Sequence, residues 1–562
     1  MNKELLTPYE LGDQNQTTTW EECIAFYTAL EKQYPRNLRF FQIGNSDAGT
    51  PVHAGIVSMD GVSDLNEIRR SNRPVFFNNN GIHPGEPEGI DACMALVRDL
   101  CTRPELLRSL KQTVFLFIPV YNVDGCRNRQ NSSRVNQQGP EQFGFRGNAN
   151  HLDLNRDFIK CDSQNAQIFN RFFSDWDPDV MVDTHTSNGA DYSYTMTVIQ
   201  TQPDKLGGEL GQFVRETMLP ELAEKMSGRG WPICPYVNPV RETPGEGIED
   251  FLDLPRFSTG YAALNHTVGF MPETHMLKSY RDRYLSMRVF VEEVLAFTVK
   301  HSHQIQALRA AAREKNNQKE WPLTWQVNRN RVSRFKFSGY TARQRPSVLG
   351  NYSRLYYDRD APFSKEIDYF QHYEPEVQVT APGKYIVPAE WREVILRLDW
   401  NKVNMERVSE SRTQTVQTYH IKSVTSRSMP YEGHMFHDQV ELETRMEAVQ
   451  LKAGDFLVPV QQKKARYVIE TLEPLAHDSL FRWGFFNSIL EKKETYSSYV
   501  FEDTASELLQ ADPELRSRFE RWQQENPQLL SSQEAVLDFI FFNCRQYSEP
   551  EWRRYPIFRL ID

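Results

Sequence analysis

A chain of 562 residues is longer than one ordinary hydrophobic core can organise, so two to four domains are expected. With 39% hydrophobic and 25% charged residues the composition is that of a folded globular protein, and a net charge of -10 argues against non-specific nucleic-acid binding. No apolar run approaches the roughly 18 to 20 residues of a membrane span, and the seven cysteines include no Cys-x-x-Cys pair that would suggest a zinc ribbon.

The N-terminal stretch MNKELLTPYELGDQNQ lacks the apolar core of a signal peptide. Localisation stays open between a cytoplasmic protein and a periplasmic or extracellular one whose signal peptide has been removed. Residues 1–18 read as an extension. The next segment, TWEECIAFYTALEKQY (19–34), opens with the capping box Thr19-x-x-Glu22 and carries Cys23, Ile24, Tyr27 and Leu30 on one helical face. The apolar run Val75-Phe76-Phe77 reads as a strand and leads directly into NNNGIHPGEPEG (78–89), a Pro/Gly turn bearing His83 and Glu86. From Pro87 the apolar spacing becomes helical through Ile90, Cys93, Met94, Val97, Leu100 and Cys101. TVFLFIPVY (113–121) is a buried strand ending in the turn Asn122-Val-Asp-Gly125, and the long polar stretch 126–150 that follows is of a length usually reserved for function.

Further on, DPDVMVDTHTSNG (177–189) reads as a short strand ending at His185, and TVGFMPETH (267–275) as another ending near Glu273. Residues 281–318 read as one long helical stretch. Strands alternating with helices, with polar groups at the strand ends, indicate an α/β fold: a mixed, mostly parallel twisted sheet flanked by helices, spanning 19–320, with its site along one edge. Residues 321–470 are rich in aromatic and β-branched residues, in alternating runs such as YIVPA, REVILRLDW and VQTYHIKSV, and suggest a β-rich or α+β accessory region. The region 471–562 is mixed or helical, with Asp512-Pro513 and the box Ser531-x-x-Glu534 as helix starts. Within the accessory region, Glu432, His434, His437 and Asp438 are metal-ligand types, but in a β-rich context they read as surface groups.

Three strand ends thus carry His83 with Glu86, His185, and Glu273. Two imidazoles and a carboxylate form the ligand set of a catalytic zinc, and a further carboxylate beside it would act as a base. Each taken alone has a plainer reading, as a solvated turn, a hydrogen-bonded structural histidine or a salt-bridge partner; the joint pattern is what points to a metal site.

The residues resemble the zinc carboxypeptidases of the carboxypeptidase A type, peptidase family M14. The matching motifs stand in the family's order: His83-Pro-Gly-Glu86, Asn122-Val-Asp-Gly125, Leu152-Asp-Leu-Asn155-Arg156-Asp-Phe158, His185 in Asp183-Thr-His, and Glu273. The likeness covers about residues 19–300; the C-terminal half is similar, more loosely, to the extension of some large bacterial members. The resemblance implies one zinc ion per chain held by His83, Glu86 and His185, with Glu273 as general base and acid for the attacking water. It implies a peptide substrate with a free C-terminal carboxylate bound by Asn155 and Arg156, for which a guanidinium fork is chemically suited. An arginine for the oxyanion is expected in the polar loop, Arg134 before its rival Arg146. Tyr261 is the nearest candidate for a substrate-capping tyrosine, and Arg256 could share the carboxylate. Gly85 departs from the well-known digestive members, which often carry arginine before the ligand glutamate. The implied activity is a zinc-dependent metallocarboxypeptidase. The alternatives are a zinc amidase on cell-wall peptides or acylated amino acids, and a non-catalytic binding protein on a peptidase scaffold. No nucleic-acid partner and no membrane span are expected, and the oligomeric state stays open.

Overall fold

The computed structural model describes residues 5–315 and 318–561. Its centre is a nine-stranded mixed sheet. Four parallel strands run side by side through its middle: Val114–Ile118, Val75–Asn79, Val180–Asp183 and Val268–His275. The antiparallel pair Leu38–Asn45 and Pro51–Val57 extends one edge, and Met196–Gln200 with Ile233–Pro235 extends the other. His185–Ser187 continues beyond Val180–Asp183 and pairs in parallel with the end of Val268–His275.

These strands are apolar on both faces because both faces are covered. Phe76, Phe115, Phe117, Val180 and Val182 enter one core with the helices Trp20–Gln33, Glu88–Thr102 and Tyr280–Lys300. Their neighbours Val75, Phe77, Val114, Leu116, Ile118 and Met181 point the other way, the period-two alternation of a pleated strand. Thr19 caps the first of these helices with Glu22 in a full capping box, as its sequence predicts.

The second core has a different composition. It joins Phe169 and Phe173 of the helix Gln164–Trp176 to Trp321, Tyr385, Tyr467 and Trp483 from the C-terminal half. That half contains a long hairpin, Ser333–Pro346 with Ser353–Phe370, and a six-stranded sheet whose longest members are Arg412–Ser426 and His437–Leu451. Near the end, helices Ser498–Ala511, Pro513–Glu525 and Gln533–Asn543 enclose a small core of their own. Among the described residues no helix is long and apolar enough to cross a membrane.

Several local expectations give way. REVILRLDW is a helix, Arg392–Trp400, burying Val394 and Leu398 four residues apart, so its alternation was that of a helix face. Asn122 does not start a simple turn: its side chain caps a short helix, Val123–Arg127. The stretch 281–318 is broken at His301 into Tyr280–Lys300 and Ser302–Glu314. The last helix is capped by Ser532, accepting from the Ala535 N–H, one residue after the expected start.

Because the C-terminal half closes one face of the central sheet, a chain ending at residue 320 is expected not to fold. It would lose Tyr385, Tyr467 and Trp483 from a shared core. It would also lose the bond from Tyr261 Oη to Asn401 Oδ1 at 2.6 Å. Burial of each large apolar side chain contributes about 1.5 to 3 kcal/mol, so a few such losses equal the whole stability of a domain, about 5 to 15 kcal/mol. Near-ultraviolet circular dichroism with size-exclusion chromatography measures the outcome; a monomeric fragment with native aromatic signals would count against a shared core.

Candidate metal centre

The Val75–Asn79 strand ends in a turn because Gly81, at φ 64°, reverses the chain in a region that side chains disfavour. The Glu86 N–H donates to His83 O at 2.8 Å, and Pro87 then starts a helix buried along nearly its whole length. His83 and Glu86 are consequently fixed at the carboxyl end of one parallel strand and are 2% exposed. His185 arrives from the adjacent strand and Glu273 from the next, the two standing opposite each other in register.

One candidate atom from each of His83, Glu86 and His185 lies within 4.8 Å of the others. His83 Nδ1 is 3.3 Å from Glu86 Oε1, and His185 Nδ1 is 3.2 Å from Glu86 Oε2. The outer nitrogens are held by carboxylates: His83 Nε2 by Asp153 Oδ1 at 2.8 Å and His185 Nε2 by Asp183 Oδ2 at 2.9 Å. Such a partner keeps the proton on Nε2 and turns the Nδ1 lone pair inward. His83 Nδ1 is buried and makes no hydrogen bond, as a ligand atom facing a cation would be. Two inward nitrogens and one carboxylate are a donor set that suits zinc and leaves a fourth position open. The residues therefore fit a metal ion.

Charge is balanced tightly around the triad. Burial would raise the Glu86 carboxyl, but the Arg134 guanidinium and the two imidazoles outweigh it and hold it well below the usual range. Burial pushes the Glu273 carboxyl up to about 7, against the opposing charge of His185. Arg134 Nη1 donates to Glu86 Oε1 at 2.6 Å, and its Nη2 to Thr186 O at 2.7 Å. Its stem passes Gly85 so closely that a Cβ there would meet Arg134 Cδ at 2.8 Å. The glycine before Glu86 thus leaves the space that this arginine fills.

A cavity of about 390 Å³ opens beside the triad, lined among others by Glu273, Arg134, Arg146, Asn155 and Arg156. The structure brings both loop arginines to it. Arg146 Nη1 is 3.3 Å from Glu86 Oε1, with its Nε donating to Asp153 Oδ2 at 2.9 Å. Asn155 and Arg156 lie in a short turn, with Asn155 Oδ1 accepting from the Ser258 N–H at 3.1 Å and Arg156 lying over the Phe257 ring at 4.6 Å.

A sequence model of the zinc carboxypeptidase family matches residues 23–193, the span that contains all three candidate ligands. Residues 23–193 thus resemble the zinc carboxypeptidases of peptidase family M14. The chain is 24% identical over 430 residues to "Carboxypeptidase 2" of Trichophyton equinum, covering 72% of each chain. Over 429 residues it is 23% identical to the protein of the same name from Trichophyton rubrum, again covering 72% of each. Among solved structures, a metallo-carboxypeptidase from Burkholderia cenocepacia is similar with a TM-score of 0.38 at 15% identity, covering 52% of this chain and 70% of that one.

Two expected site residues lie away from the cavity. Tyr261 is fully buried in the second core, stacked near Phe158 and bonded to Asn401, so it has no access to a substrate. Arg256 is buried with its Nε donating to Asp478 Oδ1 at 2.8 Å, so its charge is already paired. Instead Tyr236, just after the Ile233–Pro235 strand, lines the cavity. No spacing marked it, because it follows a three-residue edge strand in a stretch without periodicity. Asp183 had a signal, since alternate residues of a strand share a face with His185; Asp153, 70 positions from His83, had none.

Proposed function

We propose that the protein is a zinc-dependent carboxypeptidase that hydrolyses the C-terminal residue from peptides, with one zinc ion held by His83, Glu86 and His185. The observation that carries this reading is the position of Arg156 and Asn155: both line the cavity that also contains the candidate ligands and Glu273. The chemistry that zinc supplies when bound there is Lewis-acid polarisation of the scissile carbonyl and of water.

The chain's own residues do the rest. Arg156 and the Asn155 amide bind the terminal carboxylate, and this fixes which peptide bond lies at the triad. Glu273 takes the proton of the attacking water and returns it to the departing amine. Arg134 and Arg146 offer guanidinium N–H groups to the oxygen on which negative charge develops. The cavity is also lined by Ile199, Phe251, Phe257 and Met271, which suit an apolar C-terminal side chain.

The test is a peptide ending in an apolar residue, offered as the free acid and as its C-terminal amide. Charge-assisted hydrogen bonds contribute about 1.5 to 3 kcal/mol each, so the amide is expected to lose at least roughly one to two decades in kcat/KM. Arg156→Ala is expected to lose a similar amount on the acid and little more on the amide, the non-additivity of a direct contact. Equal cleavage of acid and amide by the wild type would remove the exopeptidase reading and leave an amidase or endopeptidase in its place.

A further inference from the structure

The turn between Arg412–Ser426 and His437–Leu451 reaches from the accessory sheet to the metal centre. Its tip is closed by Tyr431 N–H donating to His434 O at 2.8 Å and His434 N–H to Tyr431 O at 3.0 Å. Between them Glu432 and Gly433 stand at φ 50° and 84°. Turns with two positive φ values favour Asn-Gly or Gly-Gly, and a glutamate in the left-handed region is disfavoured. Backbone of this kind persists where the surroundings hold it, and it often marks a residue with a task.

That task is visible in the side chain. Glu432 Oε2 accepts from the Asp153 backbone N–H at 2.8 Å. Asp153 is the hub of the site: its Oδ1 holds His83 Nε2 at 2.8 Å and accepts from the Asn155 N–H at 2.8 Å, while its Oδ2 accepts from Arg146 Nε at 2.9 Å. One residue therefore separates Glu432 from a candidate metal ligand, from Asn155 and from an oxyanion arginine. The tip itself is gripped firmly. His434 Nε2 is 2.7 Å from Asp162 Oδ2, and the Arg256 guanidinium lies 4.7 Å from the Phe436 ring. The expectation that Glu432 and His434 are plain surface groups thus gives way to contacts across the shared boundary.

We infer that Glu432 is a positioning residue: from the accessory region it fixes the Asp153–Arg156 turn and, through it, the carboxylate-binding pair and His83. This rests on the carboxypeptidase reading above. Removing the side chain leaves the Asp153 N–H without its acceptor and frees the turn to shift, while the ligands, Glu273 and the arginines all remain.

Full-length Glu432→Ala and Glu432→Gln test it against wild type. The alanine variant is expected to raise KM for the free-acid peptide roughly tenfold with kcat much less affected, since a lost bond to a charged acceptor is worth about one decade. Its zinc affinity, read by competition with a chelator in the absence of substrate, is expected to fall roughly 10-fold or more, as when a ligand's partner is disturbed. The glutamine variant keeps an acceptor oxygen at the same reach and restores most of both. Should the alanine variant not fold, Glu432→Asp, shorter by one methylene but still charged, makes the same comparison. Wild-type KM and zinc affinity in the alanine or aspartate variant would overturn the inference. So would losses that the glutamine variant shares in full. If wild type cleaves the amide as readily as the acid, the carboxypeptidase reading fails by itself, and zinc affinity alone then decides the role of Glu432.

Discussion

Glu273→Gln is expected to keep its zinc and to lower kcat by roughly 10² to 10⁴, the usual range for a general base. The substitution is nearly isosteric and keeps an oxygen and a polar edge toward the cavity, so neither packing nor ligand geometry should change. It removes only the capacity to accept a proton. Glu273 stands opposite His185 in the strand register and is 9% exposed, so it reaches the triad without belonging to it. His275 is poorly placed to replace it. His275, two residues on, is buried with Nε2 3.0 Å from Ala190 O and Nδ1 accepting from the Leu277 N–H at 3.2 Å. Burial and the Lys278 charge push its pKa down to about 4, and both ring nitrogens are engaged. Zinc stoichiometry and single-turnover rates on the same preparations measure the outcome. Near wild-type turnover would assign the base elsewhere; loss of zinc would make Glu273 a ligand.

What could be read from the sequence follows from how the chemistry is encoded. The central strands were legible because Val75–Asn79 and Val114–Ile118 are apolar on both faces, which only a doubly covered sheet requires. The convergence of His83, Glu86, His185 and Glu273 was legible because each stands at or just beyond the carboxyl end of a parallel strand, where such a sheet gathers its polar groups. Contacts that depend on tertiary packing were not. From the sequence, Arg256 could share the carboxylate-binding role, since it lies in the same stretch as Tyr261. Its actual partner, Asp478, is 222 residues away and leaves no local trace. Tyr261 is the nearest candidate for a substrate-capping tyrosine in the sequence, yet helix Ser258–Leu264 turns it into the core. REVILRLDW fits either period over nine residues, and only the buried pair Val394 and Leu398 decides it. The bond from Glu432 to Asp153 spans 279 residues, so the link between the two halves could not be foreseen from either.

His83→Ala and His185→Ala are both expected to reduce zinc to trace levels and activity to background, since each removes one of three protein ligands from a site with an open fourth position. They should differ in stability. His83 leaves behind Asp153, which keeps the Arg146 guanidinium at 2.9 Å and the N–H of Asn155. His185 leaves behind Asp183, fully buried, whose Oδ1 accepts from Asn79 Nδ2 at 2.9 Å. Removing one member of a buried charged pair costs about 3 to 5 kcal/mol when the other is left uncompensated. His185→Ala should therefore unfold at a clearly lower temperature than His83→Ala, although both lose the metal. Added zinc separates the two effects. A ligand that binds only the folded state stabilises it by about 2.7 kcal/mol at 100 times its Kd. Wild type stripped of metal should thus gain thermal stability on titration with zinc, and neither variant should. Full zinc occupancy in either variant, or a zinc-induced rise in Tm equal to that of wild type, would remove that histidine from the ligand set.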